Sequence, residues 1–209
     1  VGKTVAFTGR ILPEVEARYK NSPPPGGGSP PKYLNSPETP IFNKSRTLYG
    51  FDRSKKSIAD SRTAVLVEGQ MDFLGAWQAG IKNVAAVSGT ALTPYHLEKL
   101  RRFADTVVVS FDNDAAGLKA LERALDFFNR FDFHVKVLNL GKFKDPADAA
   151  QSNPIFLKGA IGRAVPAFEY IFGIYFRPGV WTEGDIPKRK RIIRHLLGMV
   201  KSLKSAMEE

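Results

Sequence analysis

Acidic residues recur wherever an apolar run stops between Val65 and Asp148. Val65-Leu66-Val67 leads into Glu68-Gly69, with Asp72 four residues beyond Glu68. Val107-Val108-Val109-Ser110-Phe111 leads into Asp112-Asn113-Asp114, and Lys144-Asp145-Pro146-Ala147-Asp148 follows the run that ends at Leu140. If these runs are neighbouring parallel strands, their carboxylates collect along one sheet edge, where open α/β sheets bind ligands. Gathered acids repel one another. At ~4 Å and an effective dielectric of ~20, each like-charged pair costs about 4 kcal/mol. A divalent cation relieves that repulsion. Oxygen donors without histidine or thiol select a hard ion, Mg2+ or Mn2+ rather than zinc. Magnesium takes only a couple of protein carboxylates, so a surplus of acids implies two ions or more. Two such ions clamp the attacking and leaving oxygens of a phosphoryl transfer. The competing assignment makes these acids helix caps that never meet.

The elements that must hold the acids read as an alternation of strands and helices. Arg62–Val67 is β-branched and predicts a buried strand, followed by a helix over Met71–Ala79 with Gly80 as its stop. Val84–Val87 predicts a second strand. Thr93-Pro94 is an N-cap with proline at the first helical position, opening a helix to about Phe103. Thr106–Phe111 and His134–Leu140 predict two more strands. The helix between them carries Leu118, Leu121, Leu125 and Phe128 on one face. His96 and His134 read as structural.

The predicted class is α/β. A central, mainly parallel sheet flanked by helices occupies 61–150, preceded by a small mixed α+β region over 1–60. A helical subdomain follows over 151–209, with helices expected at Pro154–Ala164, Pro166–Phe176 and Asp185–Met207. Near the start, Thr4-Val5-Ala6-Phe7 predicts a strand, and periodicity is absent from Pro13 to Pro31. The Pro/Gly-rich stretch 21–31 within it is expected to be a surface loop. The opening residues lack an initiator Met and already look like a strand, so the chain reads as an excised piece.

Composition narrows the chemistry further. The 209 residues carry a net charge of +10, which fits a polyanionic partner, nucleic acid first. No apolar run approaches the ~20 residues that span a bilayer, and no membrane association is expected. Cysteine is absent, which excludes disulfides and Cys-ligated zinc. Between Lys32 and Lys56 there are six Lys or Arg against two acids. That stretch could hold a triphosphate, or be a solvated basic loop. The last predicted helix sets Lys188, Arg189, Lys190, Arg191, Arg194, Lys201 and Lys204 opposite an apolar stripe. Such a face can track a phosphate backbone, be simply solvated, or be the surface that meets a domain missing from this sequence.

With those residues in view, the sequence resembles a known family. Val67-Glu68-Gly69 with Asp72, Asp112-Asn113-Asp114 with Gly117, and Asp145-Pro146 are similar to the Toprim signature. That signature is shared by bacterial primases, topoisomerases of types IA and II, some nucleases and recombination mediators. Lys32-Tyr33-Leu34-Asn35-Ser36-Pro37-Glu38-Thr39, with Phe42, Lys44 and Leu48-Tyr49-Gly50, resembles the primase-specific segment of DnaG-type primases. Gly9-Arg10-Ile11-Leu12 and Phe168-Glu169-Tyr170 extend the likeness to either side.

The resemblance implies a Toprim-containing RNA polymerase core that makes short primers for DNA replication at the cytoplasmic bacterial replication fork. It implies metal ligation by Glu68, Asp112, Asp114 and Asp145, with Asp72 in support and Asp148 as a further candidate. Glu68, Asp112 and Asp114 would be the catalytic set. Arg10, Lys32, Asn35, Ser36 and Lys44 would face nucleotide and nucleic acid. The implied partners are single-stranded template DNA, nucleoside triphosphates and the RNA–DNA hybrid. The family's replicative helicase and zinc-binding module would act through parts of the protein missing from this sequence. One departure stands out: the family's last motif commonly runs Asp-Pro-Asp, whereas Ala147 holds its third place here. Either Asp148 reaches the metal by a local shift, or the site has one acid fewer.

Two rivals remain at the level of sequence. One is a Toprim nuclease or topoisomerase, although none of the six tyrosines has the setting of a strand-passage nucleophile. The other is a non-catalytic nucleic-acid-binding module whose acids only order a loop.

Overall fold

The computed structural model describes residues 3–22, 31–88, 91–110, 115–181 and 184–202. The chain divides into two units, Val1–Lys44 and Ser45–Glu209.

In the first unit, strand β1 (Thr8–Arg10) leads to helix α1 (Pro13–Asn21) and on to strand β2 (Tyr33–Asn35). The two strands pair antiparallel, Thr8 opposite Asn35 and Arg10 opposite Tyr33. The strand thus begins just after the Thr4–Phe7 run that the sequence favours, and part of the aperiodic Pro13–Pro31 stretch is helical. The reason for the second difference is physical. Helix α1 buries none of its residues, so no apolar stripe marks it. Proline at its start, Glu14 and Glu16 in its first turn, and Arg18 and Lys20 in its last favour the helix through its ends instead. A Glu16–Lys20 ion pair at 3.0 Å adds one i,i+4 link.

A 3-10 turn at Lys44–Arg46 spans the boundary between the units, and helix α2 (Phe51–Ser61) follows in the second. The second unit continues through β3 (Thr63–Val67), α3 (Gln70–Gln78), β4 (Val84–Ala86), α4 (Pro94–Arg101) and β5 (Thr106–Val109). Next come α5 (Ala115–Arg130), β6 (His134–Val137), α6 (Pro146–Ser152) and α7 (Pro154–Gly162). The last elements are β7 (Val165–Pro166), α8 (Ala167–Tyr175) and α9 (Ile186–Ser202). The sheet order is β4-β3-β5-β6-β7, with the first four parallel and β7 antiparallel to β6.

Alternation along the strands divides the core in two. Leu66, Ala85, Val107, Val109, Val135 and Val137 face one side, under Ile58 of α2 and the buried faces of α4, α5, α8 and α9. Val65, Val67, Val84, Ala86 and Val108 face the other, under Phe73 and Ala76 of α3, Ala149 and Ala150 of α6, and Leu157 of α7. Central strands buried on both faces explain the unbroken apolar runs of β3 and β5. The α/β class expected from sequence is therefore the one adopted, and the helices after Asn153 share a core with the sheet.

Of the two histidines read as structural, His96 lies in the core and His134 does not. His96 is fully buried, and its ring Nδ1 meets the Thr93 amide at 3.3 Å while its own amide donates to the Thr93 hydroxyl. His134 starts β6 on that strand's exposed face. Helix α2 was not legible, because only Ser54 and Ile58 of its residues are buried. No helix among the described residues is long and apolar enough to cross a membrane.

Candidate metal and nucleotide site

Parallel pairing sets the strand ends level. Val67 lies opposite Ala86, Leu66 opposite Val109, and Val109 opposite Val137. The chain therefore leaves β3 at Glu68 from the carboxyl edge of the sheet. Glu68 is exposed. Its backbone is braced, because the Ser88 amide donates to the Glu68 carbonyl at 3.0 Å and the Val87 amide to the Val67 carbonyl at 3.1 Å. Ser88 takes a left-handed φ of 60°, unusual for a residue with a Cβ, and Gln70 Nε2 donates to its hydroxyl at 2.5 Å. Neither Gln70 nor Ser88 stood out in the sequence. A serine directly before a glycine at a strand end was the available signal.

Asp72 is the third residue of α3, and both of its oxygens accept backbone amides. Oδ2 takes the Gly69 N–H at 3.0 Å, and Oδ1 takes the Ala147 N–H at 3.2 Å. Burial holds the Asp72 carboxyl above its ordinary range, and the charge of Asp145 pushes the same way against the two amide donors. Asp145 is the N-cap of α6, its Oδ1 accepting the Asp148 N–H at 2.8 Å, with Pro146 at the first helical position. Asp148 accepts the Lys144 N–H at 3.1 Å on Oδ2 and the Ser152 hydroxyl at 3.4 Å on Oδ1. Thus Asp72 and Asp145 come together, while Asp148 is tied into its own helical turn.

Asp112 and Asp114 lie outside the described residues. Among the described residues no three carboxylates or histidines converge in a way that could hold an ion. The donors at this edge nevertheless have the right chemistry for a hard cation. They are all carboxylate oxygens, and the three histidines lie elsewhere, on α4, β6 and α9.

The basic candidates of the first unit cluster around its two-stranded sheet. Arg10 and Lys32 are exposed, with the Arg10 guanidinium 5.8 Å from the Tyr33 ring centroid. Asn35 Oδ1 accepts the Thr8 hydroxyl at 2.7 Å, and Ser36 Oγ accepts the Phe7 amide at 2.9 Å. Those two side chains therefore brace β1 against β2. The Lys44 amide donates to Glu38 Oε1 at 3.2 Å.

In the second unit, α9 has Ile192 and Leu196 buried while Lys190, Arg191, Arg194 and Lys201 are exposed. Arg189 lies 4.5 Å from the Trp181 ring centroid. Lys204 lies outside the described residues.

This arrangement has recognisable relatives. Residues 65–150 match the Toprim-like family, and residues 1–55 match the N-terminal domain of the DNA primase catalytic core. A DNA primase of Halalkalibacterium halodurans is 37% identical over 211 residues, covering 99% of this chain and 32% of that protein. The RNA polymerase domain of Mycobacterium tuberculosis primase DnaG superposes with a TM-score of 0.76 at 28% identity, covering 99% of this chain and 63% of that one. The same domain in complex with a double-stranded DNA oligomer bearing a 6-nucleotide overhang gives a TM-score of 0.74 at 28% identity, with the same coverage. The sheet with its acidic edge is a Toprim-like domain. Taken with the segment before it, the chain belongs to the bacterial DnaG-type primases, spanning about a third of the length of the Halalkalibacterium relative.

Proposed function

We propose that this chain carries the nucleotidyl-transfer centre of a template-directed RNA polymerase that makes short primers for DNA replication. The observation that carries the reading is one of adjacency. A primase-core segment over 1–55 runs into a Toprim-like layer over 65–150, in which Asp72 ties the Glu68 strand end to the turn bearing Asp145.

In this reading Glu68, Asp112, Asp114 and Asp145 hold Mg2+ or Mn2+, two ions or more. Bound there, the ions would activate the attacking 3′-hydroxyl and stabilise the departing pyrophosphate. Asp72 acts as a positioning residue, because each of its oxygens already fixes a backbone amide. Asp148 frames the first turn of α6, which favours the alternative in which Ala147 leaves the site one acid short. Arg10, Lys32 and Lys44 bind phosphates of the nucleoside triphosphates and of the RNA–DNA hybrid. Asn35 and Ser36 keep that surface in shape. The template is single-stranded DNA, and the setting is the cytoplasmic replication fork of a bacterium.

The test is incorporation of labelled ribonucleotides on a single-stranded template, with Mn2+ or Mg2+, by wild type and by Asp112→Ala and Asp114→Ala. Template-dependent products from wild type alone support the reading, as does weaker Mn2+ binding in both variants. Cleavage of duplex DNA or relaxation of supercoils without triphosphates would replace it with a Toprim nuclease or topoisomerase. Equal Mn2+ affinity in all three proteins would leave a non-catalytic binding module.

A further inference from the structure

The Arg46 guanidinium lies over an exposed ring. Its guanidinium carbon is 4.2 Å from the Tyr95 centroid, and Tyr95 is 48% exposed. The stack is pegged from both sides. The Thr93 hydroxyl donates to the Ser45 carbonyl at 2.5 Å, and the Lys99 ammonium donates to the Arg46 carbonyl at 2.7 Å. Three residues on, Tyr49 and Ala86 exchange backbone hydrogen bonds at 2.8 and 3.1 Å, which anchors the segment to the edge of β4. Burial holds the Lys99 ammonium below its ordinary range, so keeping it against this turn has a cost.

An exposed arginine ordinarily keeps its rotamer freedom. Here the backbone of Arg46 is fixed and its side chain is stacked, yet among the described residues no carboxylate forms an ion pair with it. The geometry holds a cation ready without satisfying it internally.

Its location matters as much as its chemistry. Tyr95 sits in the first turn of α4, the helix that follows β4, and Ala86 of β4 is level with Val67 at the carboxyl edge. Two residues past Ala86, the Ser88 amide bonds the Glu68 carbonyl. The stack therefore stands on the β4 side of the edge from which Glu68 emerges.

We propose that the Arg46–Tyr95 stack, backed by Lys99, is a contact for single-stranded DNA. The outer face of the guanidinium takes an unpaired base, and its N–H edge takes a neighbouring phosphate. A planar cation already resting on an aromatic ring suits both contacts, and base stacking needs a face that duplex DNA keeps covered. The inference deepens the polymerase reading and rests on it, since that reading supplies a single-stranded template.

Fluorescence anisotropy with a labelled single strand of about 16 nucleotides, titrated against salt, tests it. Arg46→Ala is expected to weaken binding about fivefold to tenfold and to lower the salt slope by about 0.7, the share of one phosphate on a single strand. Arg46→Lys keeps the slope and loses part of the affinity. Tyr95→Ala loses about fivefold with the slope unchanged. Affinity for the matching duplex changes less than twofold in all three. Wild-type affinity and slope in Arg46→Ala, with an unshifted melting temperature, overturn the inference and reduce the stack to surface packing. If Arg46→Ala melts early, Arg46→Lys and Tyr95→Ala decide by the same two readouts. Primer synthesis by wild type is scored separately: its presence beside indifferent variants sinks only this inference, and its absence with no single-strand binding sinks the polymerase reading as well.

Discussion

Asp72 Oδ1 accepts the backbone N–H of Ala147 at 3.2 Å across a sequence separation of 75 residues. Its other oxygen accepts the Gly69 N–H, so one carboxylate joins the Glu68 strand end to the first turn of α6. Replacing Asp72 with Ala leaves two partly buried amides without their acceptor, at a cost of about 2–3 kcal/mol. Asp72→Asn keeps one acceptor oxygen and is expected to cost about half as much. Urea denaturation of the two variants measures both. Wild-type stability in Asp72→Ala would mean that solvent satisfies those amides and that the carboxylate does not position the turn.

The same pair shows what the sequence could and could not disclose. That Glu68 and Asp112 follow apolar runs is visible in one dimension, because β3 and β5, buried on both faces, read as unbroken hydrophobic stretches. The Thr93-Pro94 cap and the Leu121–Leu125–Phe128 face of α5 are legible for equally local reasons. Which carboxylate oxygen meets which amide is not local, since it depends on how closely α3 approaches α6. The sequence posed capping and ligation as rivals. Asp72, Asp145 and Asp148 all accept hydrogen bonds in helix first turns, and Asp72 and Asp145 still lie close enough for their charges to interact. Helices α1 and α2 escaped because they bury none or two of their residues, leaving no stripe to detect.

The approach of α3 to α6 rests on Gly75. A Cβ placed there would stand 3.2 Å from Ala147 Cα and 3.2 Å from Ala150 Cβ. Gly75→Val would force the helices apart, with an expected loss of about 1–3 kcal/mol. Because the same movement lengthens the Asp72–Ala147 bond, Mn2+ binding should weaken together with stability. A variant that loses stability yet binds Mn2+ as wild type does would uncouple helix packing from the proposed site.

At the amino end of the strands, Asp105 accepts Arg62 Nε at 2.8 Å and Arg62 Nη2 at 2.6 Å, and it also pairs with Arg101. The Arg62 hydrogen bonds first, then those of Arg101, pull the Asp105 carboxyl down from 3.8 to about 2. A carboxyl lowered by folding stabilises the fold at every pH above its unfolded value and loses that contribution as pH falls through the folded one. The stability gap between wild type and Asp105→Asn should therefore be constant from neutral pH to about pH 4 and close on approach to pH 2. Denaturant midpoints measured across that range check it. A gap that persists unchanged at pH 2 would assign the effect of Asp105→Asn to something other than its charge.

Helix α9 offers the clearest test of whether placement turns net charge into a binding surface. The Asp185 carboxylate accepts the Lys188 amide at 2.9 Å and so caps the helix, while Ile192 and Leu196 hold it to the core. Lys190 and Arg191 point away from that core, exposed and outside every ion pair among the described residues. Reversing both to Glu should leave the melting temperature unchanged, because surface charges without partners contribute little to stability. If the face tracks a DNA backbone, single-strand affinity falls at least tenfold. The salt slope then flattens by about 0.7 for each phosphate that the helix no longer neutralises. An unaltered slope with unaltered affinity would return these cations to solvent and confine DNA binding to other surfaces.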